Sequence, residues 1–261
     1  MNRRKFIKFG ILGTIGLSFL DAFWFERYII DWNYFDISKK KEDKIKIIQI
    51  SDLHIQSIKS FHKSIARKIN KLKPDFVCIT GDAVDKNENT YRLNDFLNLL
   101  DKQINKVAIT GNWEYWGKIN LKELNQIYQN HNCDFLINEN KSYTIRNQQI
   151  NIIGVDDYVG GNPNWGKSIE NLKPSNKNIA LIHCPAFTDK INTNNLDLIL
   201  SGHTHGGQIN FFGFVPFKPQ GSGKYLKGWY KSSIMYVSKG IGTSLLPIRF
   251  GARAEVVEID I

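Results

Sequence analysis

The stretch Ile45-Lys46-Ile47-Ile48-Gln49-Ile50-Ser51-Asp52-Leu53-His54 changes character in the middle. Its first six residues are dominated by β-branched apolar side chains and read as a strand over 45–50. The last three place a carboxylate and an imidazole one residue apart, just where the strand ends. The same grammar recurs downstream. The apolar run 76–80 is followed by Gly81-Asp82, and 107–110 by Gly111-Asn112. Between these runs lie helical patterns over 59–72 and 91–102, the second with Leu93, Phe96, Leu97 and Leu100 on one face. Strands alternating with helices predict an α/β fold built on a largely parallel sheet.

From about residue 134 the strands become short and closely spaced, over 142–146, 149–155, 178–182, 196–200 and 234–238. They predict a second, more antiparallel sheet packed on the first. With 261 residues, 42% of them hydrophobic, and only seven prolines, the chain can bury one sizeable core. The expected organisation is an N-terminal anchor or signal over 1–30, a linker over 31–44 that ends in the charged run Lys39 to Lys44, and one catalytic domain over 45–261.

Every polar cluster follows a predicted strand, at the edge where α/β sheets present ligands. The clusters are Asp52-Leu53-His54, Gly81-Asp82, Gly111-Asn112, His183 and Gly202-His203-Thr204-His205. A single aspartate after a strand is usually a turn residue, and a single histidine usually a satisfied surface or core group. Five strand ends supplying seven N/O donors in one order are not independent coincidences. Carboxylate, imidazole and amide oxygen without thiolate suit Mn, Fe or Zn. A shared carboxylate is the simplest bridge between two ions, and such pairs activate water for attack on phosphorus. The glycines before Asp82, Asn112 and His203 allow the tight turns this needs.

The order D-x-H, G-D, G-N, H, G-H-x-H resembles that of the calcineurin-like metallophosphoesterases, across residues 45–261. The resemblance implies two central β-sheets flanked by α-helices, a four-layer sandwich. It also implies two divalent ions, with Mn preferred to Fe or Zn. Asp52, His54 and His205 would hold the first, Asn112, His183 and His203 the second, and Asp82 would bridge. The motifs Gly154-Val155-Asp156-Asp157, residues 202–208, Gly240-Ile241-Gly242-Thr243 and Pro247-Ile248-Arg249 resemble the bacterial branch with N-terminal anchors or twin-arginine signals.

One position departs from the family. Most members read G-N-H-[DE], their histidine being thought to protonate the leaving group, whereas this chain reads Gly111-Asn112-Trp113-Glu114. General-acid help is worth about 10²–10⁴-fold, and an indole N–H does not usefully ionise. Three readings follow for Asn112, Trp113 and Glu114 as the catalytic group. Cleavage is confined to leaving groups stable as anions, such as a nucleoside monophosphate. Alternatively Glu114, His54 or a water replaces the acid, or the site binds without turnover. UDP-2,3-diacylglucosamine pyrophosphatases, which the chain also resembles, lack that histidine and work at a membrane. The expected substrate is accordingly a lipid-linked or membrane-associated phosphodiester or pyrophosphate. An exported envelope phosphodiesterase, a nuclease and a non-catalytic binding module are the alternatives. Arg249 and Arg253 are expected either to clamp a substrate phosphate, for which arginine's fork is suited, or to form surface ion pairs.

The net charge is +10, of which residues 1–40 carry +3 from seven Lys/Arg and four Asp/Glu. Arg3-Arg4-Lys5-Phe6-Ile7-Lys8 precedes a dozen uncharged residues, 9–20, the layout of an export signal that resembles the twin-arginine type. No small-residue cleavage site follows, so an uncleaved membrane anchor is expected, either spanning or lying on the surface, with the side of the membrane open. Cys78, Cys133 and Cys184 show no metal or disulfide spacing. His62 and His131 are expected on the surface. Asp156-Asp157 is expected either to orient a ligand or to form a solvated turn. The aromatic run 210–217 is expected either to face lipid or substrate or to pack between the sheets. No basic helix with interleaved aromatics stands out, so no nucleic-acid partner is expected, and a monomer is.

Overall fold

The computed structural model describes residues 2–38, 43–173, 176–211, 213–231 and 234–261, with only the backbone described at Ile15, Ser18 and Phe19. Two six-stranded sheets form its centre. The first contains β1 (Asp31–Asp36), β2 (Lys46–Ile50), β3 (Phe76–Thr80), β4 (Asn105–Ile109), β5 (Cys133–Phe135) and the C-terminal strand, β12 (Glu255–Asp260), in the order β1-β12-β2-β3-β4-β5. The second contains β6 (Glu139–Ile145), β7 (Gln148–Gly154), β8 (Lys177–Leu181), β9 (Leu198–Ser201), β10 (Gly228–Tyr230) and β11 (Met235–Val237), in the order β10-β11-β9-β8-β7-β6.

Strand periodicity decides the layers. Along β2 and β3, Ile47, Phe76 and Cys78 point between the sheets, where they meet Ile150, Ile152, Ile179, Leu181, Leu198 and Leu200. Their neighbours Ile48, Ile50, Val77 and Ile79 point outward under α3 (Ser60–Leu72), α4 (Thr90–Leu97) and α6 (Leu121–Gln129). A third cluster, with Ile153, Val155, Ile182 and Met235, covers the far face of the second sheet. The result is the two-sheet sandwich flanked by helices that the resemblance implied.

Three differences from the sequence reading concern long-range pairing. The second sheet is parallel through β7, β8, β9 and β11 and antiparallel only at its edges, β6–β7 and β10–β11. Crossover segments separate its central strands, and their residues carry too little helical periodicity to announce them. Residues 31–36, assigned to the linker, form an edge strand parallel to β12. The charged part of that linker, 39–42, lies outside the described residues. His62 and His131 are buried rather than exposed. His62 accepts the Lys59 N–H at 3.1 Å, and His131 Nε2 meets Asn94 Oδ1 at 2.8 Å.

The N-terminus is helical over α1 (Arg3–Leu20), continues as a π-helical turn at Asp21–Phe25 and ends in the short α2 (Glu26–Tyr28). Phe6, Phe9, Ile11, Leu12, Leu17 and Leu20 of α1 are exposed. Among the described residues no helix is long and apolar enough to cross a membrane. The segment after α1 is docked firmly. Ala22 O accepts from Arg249 N at 3.0 Å, and the Glu26 carboxylate accepts from Gly251 N and Ala252 N at 2.8 and 2.9 Å.

Candidate metal centre

The C-terminal ends of β2, β3, β4, β8 and β9 converge, and all seven expected ligands meet there, each no more than 5% exposed. His54 Nε2 lies 3.1 Å from His205 Nε2, which lies 3.4 Å from Asp52 Oδ1. On the other side Asn112 Oδ1 lies 2.8 Å from His203 Nδ1 and 3.3 Å from His183 Nε2. Asp82 Oδ2 stands between the groups, 3.8 Å from His54 Nε2 and 3.2 Å from His183 Nε2. These separations are roughly the edges of coordination polyhedra with ~2.0–2.2 Å bonds.

Hydrogen bonds at the far sides of the rings orient them in a way that suits cation binding. His183 directs Nδ1 at Thr80 O (2.7 Å), His203 directs Nε2 at Gln220 O (2.7 Å), and His54 directs Nδ1 at the Asp85 carboxylate. Each ring therefore donates outward and, in its neutral form, turns a lone pair inward beside the oxygens of Asp82 and Asn112 or another imidazole. In that form the space is bordered by acceptors that a cation could share. Cys184 is adjacent to His183 and His203, but its thiol donates to Asp157 at 3.0 Å and burial raises its pKa, leaving the ligand set without sulfur.

The turns that carry these donors are unusual. Asp52, His54, Asp82, His203 and His205 all have φ between 44° and 72°, the left-handed region that non-glycine residues rarely enter. At two neighbouring positions only glycine fits. A Cβ on Gly202 would strike the Ser51 hydroxyl and the Asp52 carboxylate, and one on Gly111 would strike Asp82.

Charge is distributed to suit ligation. Burial opposes ionisation of Asp82, but the positive charge and hydrogen bond of His183, with the charges of His54 and His203, outweigh it and hold the carboxyl down at about 2. Burial, with the charges of His54 and Arg249 adding to it, keeps His205 well below the usual imidazole range and therefore neutral.

Three expected catalytic or substrate-binding roles, those of Glu114, His54 and Arg249, are corrected. Glu114 is 1% exposed, and its oxygens accept the backbone N–H groups of Ala83 (2.8 Å), Asp82 (3.0 Å) and Gly111 (2.7 Å). It ties the Asp82 and Asn112 turns together and is not aimed at a leaving group. His54, with both nitrogens engaged, is likewise not free to act as an acid. Arg249 is fully buried and donates to the carbonyls of Lys239 (2.8 Å), Gly242 (2.5 Å) and Ala252 (2.7 Å), with Nη2 3.3 Å from His205 Nδ1. It clamps the C-terminal loop behind His205 and cannot grip a substrate phosphate. Arg249→Ala should therefore lower stability by about 3 kcal/mol through unsatisfied buried carbonyls. Thermal denaturation and kinetics would check this, with Tm falling and KM for a soluble diester nearly unchanged; a selective rise in KM would restore the clamp.

Asp85, three residues beyond Asp82, joins the site as the outward partner of His54; a second carboxylate close to Asp82 is the only sign of it in the sequence. Asp156 and Asp157 are structural. Asp156 accepts from the Thr110 and Tyr115 hydroxyls and Asn162 N, and Asp157 from Val159 N, Gly160 N and Cys184.

Beside the donors opens a cleft of about 600 Å³ walled by Trp113, Trp116, Ile209, Phe217, Leu245 and Leu246. Trp113 is anchored by its backbone N–H, which donates to Asp82 Oδ1 at 2.8 Å, and its ring stands edge-on to His54 at 6.0 Å. Among the described residues lining this cleft, the only side chains that titrate in the neutral range or below are Asp82, His203 and His205. Phe211, Phe214 and Phe217 of the aromatic run are exposed rather than packed between the sheets, and Phe212 lies outside the described residues.

A two-sheet sandwich with seven convergent N/O donors at its strand ends defines a metal-dependent phosphoesterase. Residues 45–207 match the calcineurin-like phosphoesterase family, and the chain belongs to it. Relatives include the metallophosphoesterase YkuE of Bacillus subtilis, 31% identical over 98% of this chain and 96% of that protein. YkoQ of the same organism is 30% identical over 82% of each chain. The UDP-2,3-diacylglucosamine pyrophosphatase LpxG of Chlamydia muridarum is 26% identical over 76% of this chain and 78% of its own length. The family hydrolyses phosphoesters with a dinuclear divalent metal centre. Such a pair polarises phosphoryl oxygens and lowers the pKa of a shared water.

Proposed function

We propose that Asp52, His54 and His205 hold one ion, that Asn112, His183 and His203 hold the other, and that Asp82 bridges them, with manganese the preferred metal. The substrate is a lipid-linked or membrane-associated phosphodiester or pyrophosphate, with UDP-2,3-diacylglucosamine the single compound to test first. The observation that carries this reading is the cleft, which adjoins the donors, has an apolar wall and offers no proton donor beyond the ligands themselves. A site without an acid favours bonds whose leaving group is already stable as an anion, and a nucleoside monophosphate leaving a pyrophosphate meets that condition. An apolar wall favours a substrate with a hydrophobic body, and Trp113 and Trp116 shed water from the reacting end. The relationship to LpxG supports the same substrate class.

In this reading the leader lies on a bilayer surface, which leaves a cytoplasmic substrate within reach. The paired Arg3-Arg4 favours a second reading, an exported phosphodiesterase acting on cell-envelope phosphates. The discriminating assay is hydrolysis by the manganese-loaded protein in detergent of UDP-2,3-diacylglucosamine and of bis(p-nitrophenyl) phosphate, with Asp82→Ala as the blank. Release of UMP is the expected result. Turnover of the synthetic diester alone would overturn the lipid nucleotide and favour the exported enzyme.

A further inference from the structure

From Leu53 to Pro74 the chain contains six Lys/Arg and no Asp or Glu. Lys59, Lys63, Arg67 and Lys71 repeat at intervals of four and form one stripe along α3, with Lys68 beside it, and all five are exposed. Among the described residues none of these five has an acidic side chain within ion-pair distance. Like charges at i,i+4 repel along a helix face, and no acidic side chain among the described residues neutralises these. An external anionic partner would.

The stripe borders a specific neighbourhood. The segment that follows the leader lies along α3, and together they enclose a groove of about 840 Å³ lined by Trp24, Tyr28, Trp32 and Phe61 with Lys59 and Arg67. Lys59 Nζ sits 4.9 Å from the Tyr28 ring centre and 3.1 Å from its hydroxyl, and Lys68 Nζ sits 3.9 Å above Trp32. Trp24 is 57% exposed, and the exposed apolar side chains of α1 continue from it. Tyr28, Lys59 and Phe61 also border a second groove that reaches His54, Trp113, Leu245 and Leu246. The sequence conceals this basic surface with interleaved aromatics, because the cations come from α3 and most of the aromatics from the N-terminal segment.

We propose that the basic stripe of α3, with the aromatic groove beside it, is a docking surface for an anionic lipid bilayer. The apolar leader enters the interface, the amphipathic Trp24, Tyr28 and Trp32 take the headgroup level, and the α3 cations meet lipid phosphates. A bilayer fits better than a nucleic acid, since the stripe is continuous with an exposed apolar helix that a polyanion would leave in water. The same seating brings the second groove, and through it the metal-site cleft, to the membrane surface. The readout is binding rather than turnover, so the test stands apart from the substrate assignment.

The test uses the full chain in a flotation assay with phosphatidylcholine vesicles, with and without phosphatidylglycerol. The wild type should bind both through the leader, and phosphatidylglycerol should strengthen binding in a salt-sensitive way. Lys63→Gln/Arg67→Gln/Lys71→Gln should weaken partitioning to the anionic vesicles by about a hundredfold, the factor expected for three cations near an anionic surface. It should leave binding to neutral vesicles and hydrolysis of bis(p-nitrophenyl) phosphate unchanged. Arg3→Gln/Arg4→Gln, which removes cations from the leader alone, should have the smaller effect. The proposal is overturned if the α3 variant floats with anionic vesicles as the wild type does, or if the leader variant loses the preference instead. Tighter binding to duplex DNA than to the anionic vesicles at equal salt would also overturn it.

Discussion

Asp82→Ala is expected to lose metal and activity together, with turnover of bis(p-nitrophenyl) phosphate falling by ~10³-fold or more, as when one member of a cooperating site is removed. The expectation rests on where its carboxylate stands. Asp82 Oδ2 lies within 4 Å of an imidazole nitrogen from each histidine group, 3.8 Å from His54 Nε2 and 3.2 Å from His183 Nε2. Its other oxygen accepts the Trp113 N–H at 2.8 Å and so holds the start of α5 (Asn112–Trp116), where Asn112 supplies a donor to the second group. In the proposed assignment, removing it would delete the bridge and loosen a second ligand. Metal analysis by plasma mass spectrometry beside the kinetic assay checks both halves. A metal-replete, active Asp82→Ala protein would sink the ligand assignment.

Trp113→His should act in the opposite direction. Diesters with poor leaving groups, such as alkyl phenyl phosphates, should gain about 10²–10⁴-fold in kcat/KM, and bis(p-nitrophenyl) phosphate should gain little. Position 113 follows a ligand, and its main chain is fixed by the Asp82 bond, so an imidazole there begins from the same backbone anchor. The indole lines the cleft between His54 and Trp116, its ring centre 6.0 Å from one and 5.7 Å from the other. An imidazolium donor should also add a falling alkaline limb to the pH–rate profile for the poor substrates, because the acid is lost as it deprotonates. Metal content should not change. An equal response for good and poor leaving groups would show that position 113 does not control protonation.

Much of this molecule was legible in one dimension because the relevant physics is local. β2 and β3 announce themselves by dense β-branched and apolar runs, and a strand of alternate in-and-out residues must have layers on both sides. The convergence of Asp52, His54, Asp82, Asn112, His183, His203 and His205 was legible because their chemistry is unusual at strand ends and because five strand ends repeat it. Glycines at 111 and 202 were expected to permit close approach, and the crowding there shows why.

What the tertiary structure alone decided are partners distant in sequence. Glu114 and Arg249 carry charges that suit catalysis in a linear reading, yet folding surrounds them with the backbone groups of residues 82, 83 and 111 and of 239, 242 and 252, which consume their hydrogen-bonding capacity. The outward carboxylate partner of His54, the parallel centre of the second sheet and the recruitment of residues 31–36 to its companion are likewise choices among many possible pairings. The basic face of α3 beside Tyr28 and Trp32 has the same origin. Residue type determines what a side chain can bind; only packing determines which of its possible partners arrives first and excludes the rest.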